Sequence, residues 1–315
     1  QRVLRDSPQN RKALLTAAEI SHHRMILADS DRRRDEALAH AGKAAARLDT
    51  FLGLGKASQS EMTAASRVFS NIALAHKNLH LFDDAIRYAR RSIETSRSLP
   101  FAHVSGASAW SIIADSMRSS GNLAGALEAI REARSSLDQA EFPSEPVRRS
   151  SVFNVLWREG VILGGEGGIH LGRPEEAIVV FQKAIDGIQE WAQKDPHDAS
   201  SRILFASGGR ELGALLRYRD PRRALAVYDQ ARLRLGEIQN NVKARRGEAQ
   251  ILAGSSYPLR SLHRRGEAKD RIDAAFRLLR ETKDYPADRI DPDGEAETAL
   301  RALGDHYAET GQSQR

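Results

Sequence analysis

Between Trp110 and Ala133 the chain reads W-S-I-I-A-D-S-M-R-S-S-G-N-L-A-G-A-L-E-A-I-R-E-A, two amphipathic helical patterns hinged at Gly121 and Asn122. In the first arm Trp110, Ile113, Ala114 and Met117 recur at steps of three and four, so they share one helix face. Gly121 ends that helix by entering the left-handed backbone region, and Asn122 accepts from the free N–H groups of the next. In the second arm Leu123, Ala126, Leu127, Ile130 and Ala133 form one stripe. A turn this short makes the arms antiparallel, with their apolar stripes facing. Ala126 and Ala133 are small where the helices cross, and Trp110 and Ile130 fill the space beside them. Truncating a buried Trp110 to Ala is expected to cost about 3–5 kcal/mol.

The spacing W-x2-I-A-x2-M, then glycine, then A-x3-I-x2-A resembles the tetratricopeptide repeat (TPR), whose pattern is W-x2-L-G-x2-Y followed by A-x3-F. Phe69, Ile72, Ala73 and His76 lead to Phe82, Ala85, Ala89 and Ser92 in a second copy. Gly164, Gly165 and Gly168 lead to Gly172, Pro174, Ala177, Phe181 and Ala184 in a third, and Leu212 and Leu215 lead to Pro221, Ala224, Tyr228 and Ala231 in a fourth. Leu300, Leu303, Gly304, Tyr307 and Gly311 match a first arm with no second, while Ala37, Ala41, Ala44 and Gly266, Ala268, Ala275, Leu278 mark two weaker copies. The marker alanines Ala37, Ala85, Ala126, Ala177 and Ala224 stand 41 to 51 residues apart, against about 34 in the standard repeat, so helices or connections are longer here.

The resemblance implies an all-α fold, a right-handed α-solenoid of antiparallel helical hairpins. It would fill 1–315 as one array of about six hairpins and a terminal half-repeat. Phe142-Pro-Ser-Glu-Pro interrupts the pattern and predicts a hinge at 141–148. The unfinished end at Leu300–Gly311 predicts homodimerisation through that half-repeat. Because the chain begins at Gln1 and stops inside a repeat, it reads as a fragment of a larger protein or a processed chain.

Lys and Arg number 48 against 42 Asp and Glu, a net charge of +6. Spread over so large a surface, this serves solubility rather than nucleic-acid binding. The absence of cysteine excludes disulfides, thiolate catalysis and cysteine metal sites. No apolar run approaches the ~20 residues that span a bilayer, and no signal peptide opens the chain. The compartment stays open, cytoplasmic or, behind a membrane span, extracytoplasmic.

Motifs that suggest chemistry fail on inspection. The triple arginine Arg32–Arg34 reads as a solvated helix start rather than a phosphate patch. In Gly53-Leu-Gly-Lys-Ala-Ser the first glycine of a Walker loop is replaced by Thr50, so 53–60 is a helix stop and linker. His76 and His80, expected on one helix face, enclose Lys77, Asn78 and Leu79 and lack the glutamate of H-E-x-x-H. The glycines of 160–172 follow no strand; they are expected to let their helix approach a neighbour, with Ser207-Gly-Gly209 as the facing surface, or else to form a ligand notch. Asp288–Glu295 lacks the alternating ligands of an EF-hand and reads as a capped loop. Neither a catalytic constellation nor a cofactor is implied.

TPR arrays stack their first helices along a concave wall that binds extended peptides or partner helices. The resemblance places Arg67, Ser70, Lys77 and Asn78 on that wall, then Ser111, Asp115 and Arg118, then Glu159, Glu166 and His170, then Gly209 and Arg217, and finally Arg260, His263 and Arg264. Its basic stretches, Arg67–Lys77 and Arg217–Arg264, suit an acidic protein or peptide segment. The chaperone-tail clamp is not supported, since Ser70 and Leu74 occupy its slots. The phrases L-R-D-S-P-Q-N and K-D-P-H-D resemble the repeat regions behind some bacterial eukaryotic-type Ser/Thr kinase domains, which implies a regulatory arm. The alternative is a ligand- or signal-peptide-sensing module of a bacterial regulator.

Overall fold

The computed structural model describes residues 7, 9–31, 33–195, 198–238, 240–287, 290 and 294–311. These hold thirteen helices: α1 (Arg11–Ser30), α2 (Arg34–Gly53), α3 (Gln59–Asn78), α4 (Phe82–Ser96), α5 (Ala102–Ser119), α6 (Leu123–Asp138), α7 (Glu145–Gly164), α8 (Pro174–Lys194), α9 (Ala199–Leu216), α10 (Pro221–Gly236), α11 (Val242–Ser261), α12 (Arg265–Glu281) and α13 (Glu295–Glu309). Two compact units, Gln1–Arg158 and Glu159–Arg315, divide within α7.

Local chemistry starts several of the helices. Asn10, Asn122, Asp220 and Asn241 accept from backbone N–H groups of the first turns of α1, α6, α10 and α11. Ser58 and Glu61 close a reciprocal capping box on α3. Pro174 and Pro221 stand in the first turns of α8 and α10, where a missing N–H costs nothing.

In the first unit α1 packs on α2, α3 on α4 and α5 on α6, and the first helices α1, α3 and α5 also touch in succession. The core around α1–α3 is built from Ala18, Met25, Leu48, Phe51, Phe69 and Ile72. The reference hairpin closes on Ile113 and Ile130, both fully buried, with Ala126 and Ala133 at the crossing. Trp110 is only half-buried, because the inward face runs through Ala109, Ile112 and Ile113 instead. The full cost expected for losing Trp110 therefore passes to Ile113, about 2–5 kcal/mol on truncation to Ala.

In the second unit α9 packs on α10 and α11 on α12; α9 touches α11, and α11 touches α13. Leu252, Ala253, Ile272, Phe276 and Leu279 form a core that α13 joins through Ala299 and Ala302.

The glycine-rich stretch departs from expectation. The helix ends at Gly164, so Gly165, Glu166, Gly168 and His170 lie in the following loop. Nor do its glycines face 207–209. A Cβ on Gly164 would stand 2.9 Å from Pro174 Cα, and one on Gly160 2.7 Å from Phe181 Cζ. Close approach is real, but it is to α8, the next helix in the chain. His76 and His80 do not share a helix face either: α3 stops at Asn78, His80 sits at φ 60°, and His76 is buried with its ring 5.0 Å from that of Tyr88. Of Arg32–Arg34, Arg32 lies outside the described residues, as do parts of Leu4–Asn10, Lys194–Asp198 and Asp288–Glu295.

Candidate functional site

Because α3, α5 and α7 present successive faces within the first unit, they enclose a groove of about 370 Å³. Small residues of α5, namely Ala107, Ser108 and Ser111, leave the space. Ser70, Asn71 and Leu74 of α3 and Ser151, Asn154 and Arg158 of α7 form its sides. Leu74 is 41% exposed and supplies apolar surface. The Ser111 hydroxyl is spent on Ala107 O of its own helix.

Asn71 is held in place from α1. Its Nδ2 donates to His22 Nε2 at 2.8 Å, which requires an unprotonated ring nitrogen there. Burial holds the His22 pKa below its ordinary value, helped by the neighbouring His23 and Arg67. Beyond Ser111, Asp115 Oδ2 receives Arg158 Nε at 3.1 Å and Lys77 Nζ at 3.6 Å. Two cations share one carboxylate, so this trio carries a net positive charge.

Some candidates from sequence are brought together and others are separated. Lys77, Ser111 and Asp115 belong to the groove or its edge; Arg118 lies half-buried near the end of α5, Asn78 is exposed at the end of α3, and Arg67 reaches Glu19 at 3.3 Å. In the second unit Arg217 Nη2 meets Glu166 Oε1 at 2.8 Å. Arg217 and Arg260 both lie over the Tyr257 ring, at 4.2 and 4.5 Å from its centroid.

Among the described residues no continuous basic wall joins Arg217 to Arg264. Arg260 is buried, with Nη1 donating to Ala302 O at 3.2 Å and Nε 3.0 Å from Glu309. His263 occupies the left-handed position of the α11–α12 turn, and Arg264 pairs with Glu267 at 2.6 Å on the exposed start of α12. Glu159 and Gly209 are buried.

Asn71, Asn154 and Arg158 escaped the sequence reading. Asn154 and Arg158 stand one turn apart on α7, but assigning that repeat's first arm to Gly164–Gly168 set them outside the frame. Among the described residues no group of three or more His, Cys, Asp or Glu could hold a metal ion. No helix there is long and apolar enough to cross a membrane.

The arrangement is an all-α helical-repeat fold of the TPR-like class. Solved structures share it across most of the chain: the apo form of RapI at 13% identity, with a TM-score of 0.61 over 94% of this chain and 92% of that one. A Rap protein complexed with competence and sporulation factor matches at 12% identity, TM-score 0.50, over 94% and 76% of the respective chains. A kinesin-light-chain-type protein from Podosopora anserina with nearly identical TPR-like repeats matches at 14% identity, TM-score 0.50, over 71% and 97%. No protein-family model matches the sequence, and no curated protein resembles it in sequence.

Proposed function

We propose that the chain is a peptide-binding repeat scaffold, and that an extended segment of a partner lies across α3, α5 and α7. The observation that carries this reading is the groove of about 370 Å³, in which small residues make room for a ligand backbone between the side-chain amides of Asn71 and Asn154. Such amides offer both a donor and an acceptor, as a peptide unit requires. The charge of Lys77, Asp115 and Arg158 favours a carboxylate at that end of the segment.

Selection of a random peptide display library on the full chain tests the reading. Enriched peptides should carry an acidic residue and lose binding to Ser108→Trp, which fills the groove, and to Asn154→Ala. Equal binding by Ser108→Trp, with an unchanged melting curve, would overturn it.

A second reading makes the bound peptide a free signal rather than part of a folded partner. Its support is the fold shared with a Rap protein complexed with competence and sporulation factor. A regulatory arm behind a bacterial kinase rests only on the two phrases at 4–10 and 194–198. Short free peptides that bind as tightly as the same sequence within a folded protein favour the signal reading.

A further inference from the structure

The loop after α7 takes no part in the groove. Gly167 and Gly168 adopt φ 87° and 106°, and the chain returns to its own helix through Leu171 N to Ile162 O at 2.9 Å and Arg173 N to Leu163 O at 2.8 Å. In Gly165-Glu166-Gly167-Gly168 the glutamate has the only side chain. That side chain reaches Arg217.

The surroundings of Arg217 are firmly built. Its guanidinium lies 4.2 Å from the centroid of Tyr257 and 4.9 Å from that of Tyr218. Tyr257 is buried, with its hydroxyl donating to Asp305 at 2.7 Å. Arg217 Nε is buried without a hydrogen-bond partner. A planar cation fixed over aromatic rings, with a donor edge turned to one carboxylate, is a carboxylate receptor.

Receptor and occupant differ in kind. Arg217 caps the C-terminal end of α9 and Tyr257 stands within α11, whereas Glu166 hangs from a glycine loop with its side chain 42% exposed. Partial burial pushes the Glu166 carboxyl above its ordinary pKa although Arg217 pulls it down. Burial, with the nearby Glu211 carboxylate, thus works against the charged form that pairs with Arg217.

We propose that Arg217, stacked on Tyr257, is a binding site for a glutamyl carboxylate of a partner peptide, and that Glu166 fills it as a tethered stand-in which the peptide displaces. The inference rests on the second unit alone and is independent of the groove. The occupant defines the ligand chemistry: a glutamate between residues too small to collide with the site.

The probe is the loop's own sequence in trans, acetyl-Gly-Gly-Glu-Gly-Gly-amide, titrated by NMR into the full chain. A tether acts as a competitor at high effective concentration, so Glu166→Gln should bind the probe at least about tenfold more tightly than the unaltered chain. The glutamine version of the probe should bind at least about tenfold more weakly, as should Glu166→Gln combined with Arg217→Lys. Saturation of the unaltered chain should speed amide hydrogen exchange across 165–171. Equal affinity with and without Glu166, equal binding of the glutamine probe, or no binding to Glu166→Gln would each overturn the proposal and leave an internal ion pair. Should Arg217→Lys melt abnormally, the glutamine probe still decides. Ser108→Trp should leave this binding unchanged, which separates its failure from that of the groove.

Discussion

Phe181 and Tyr228 occupy one slot in two successive repeats, four residues after the marker alanines Ala177 and Ala224. Each buried ring lies against a glycine: a Cβ on Gly160 would stand 2.7 Å from Phe181 Cζ, and one on Gly213 2.6 Å from Tyr228 Cζ. Both rings are among the most deeply buried side chains, and Tyr228 also meets Gly254, where an added Cβ would stand 3.0 Å from its hydroxyl. Gly160→Ala should therefore destabilise the protein by about 1–3 kcal/mol through overpacking, measured by urea unfolding. Gly187, exposed in α8 with nothing within 4 Å of an added Cβ, is the control. Gly187→Ala should stabilise by about 1 kcal/mol, because only backbone entropy changes. His22 supplies a residue-level pH test. Its folded pKa lies below the unfolded value of about 6.5, so the neutral ring is favoured in the fold. Its contribution is complete above pH ~6.5 and falls away as acidification lets the unfolded chain bind the proton first. His306 shifts in the same direction. His22→Gln, which keeps an acceptor for Asn71, should lose less stability than the unaltered chain between about pH 7.5 and 5 by urea unfolding, and equal losses would exclude the linkage.

Hairpin turns repeat as closely as the ring slots do. At the α5–α6 turn Gly121 N donates to Arg118 O at 3.0 Å and Asn122 N to Met117 O at 2.8 Å. The α3–α4 turn copies this with His80 to Lys77 and Leu81 to His76, and the α11–α12 turn with His263 to Arg260 and Arg264 to Leu259. Gly121 sits at φ 91°, His80 and His263 at 60°, so the same left-handed position is filled by glycine once and by histidine twice. For L-residues that region costs roughly 1–2 kcal/mol. His263→Gly should thus raise stability by up to about 1 kcal/mol, and Gly121→Ala lower it by a similar amount, both read from thermal unfolding. Element identity was legible because its signals are local: Gly121-Asn122, Gly172-Arg-Pro174 and Asp220-Pro221 each announce a turn within a few residues. The glycines of 160–165 announce close approach but not its partner, because Pro174 and Phe181 are identified only once the turn geometry is known. Arg260 reads as a surface residue for the same reason. The groups that bury it, Ala302 O and Glu309, lie more than forty positions downstream, beyond any periodicity in α11.

At the scale of the molecule, polar contacts recur at the spacing of one repeat. Arg91 meets Asp49, Arg158 meets Asp115 and Arg271 meets Asp229, at 2.6, 3.1 and 2.8 Å and at sequence separations of 42, 43 and 42. Arg223 donates to Gln182 and Arg210 to Gln250 at separations of 41 and 40. These intervals, 40 to 43 residues, are close to or just below the 41–51 residue spacing of the marker alanines, so each tie links helices of consecutive repeats. Half-exposed pairs of this kind contribute about 0–1 kcal/mol each and weaken with salt. Asp49→Asn and Asp229→Asn should accordingly cost little singly, and with no shared partners their effects should add. Between about 0.1 and 1 M NaCl the unaltered chain should lose more thermal stability than the double variant, since screening removes ties the variant already lacks. An equal loss in both would mean that these pairs set the register of neighbouring repeats without stabilising them, leaving the buried Ile, Phe and Tyr contacts to hold the hairpins together.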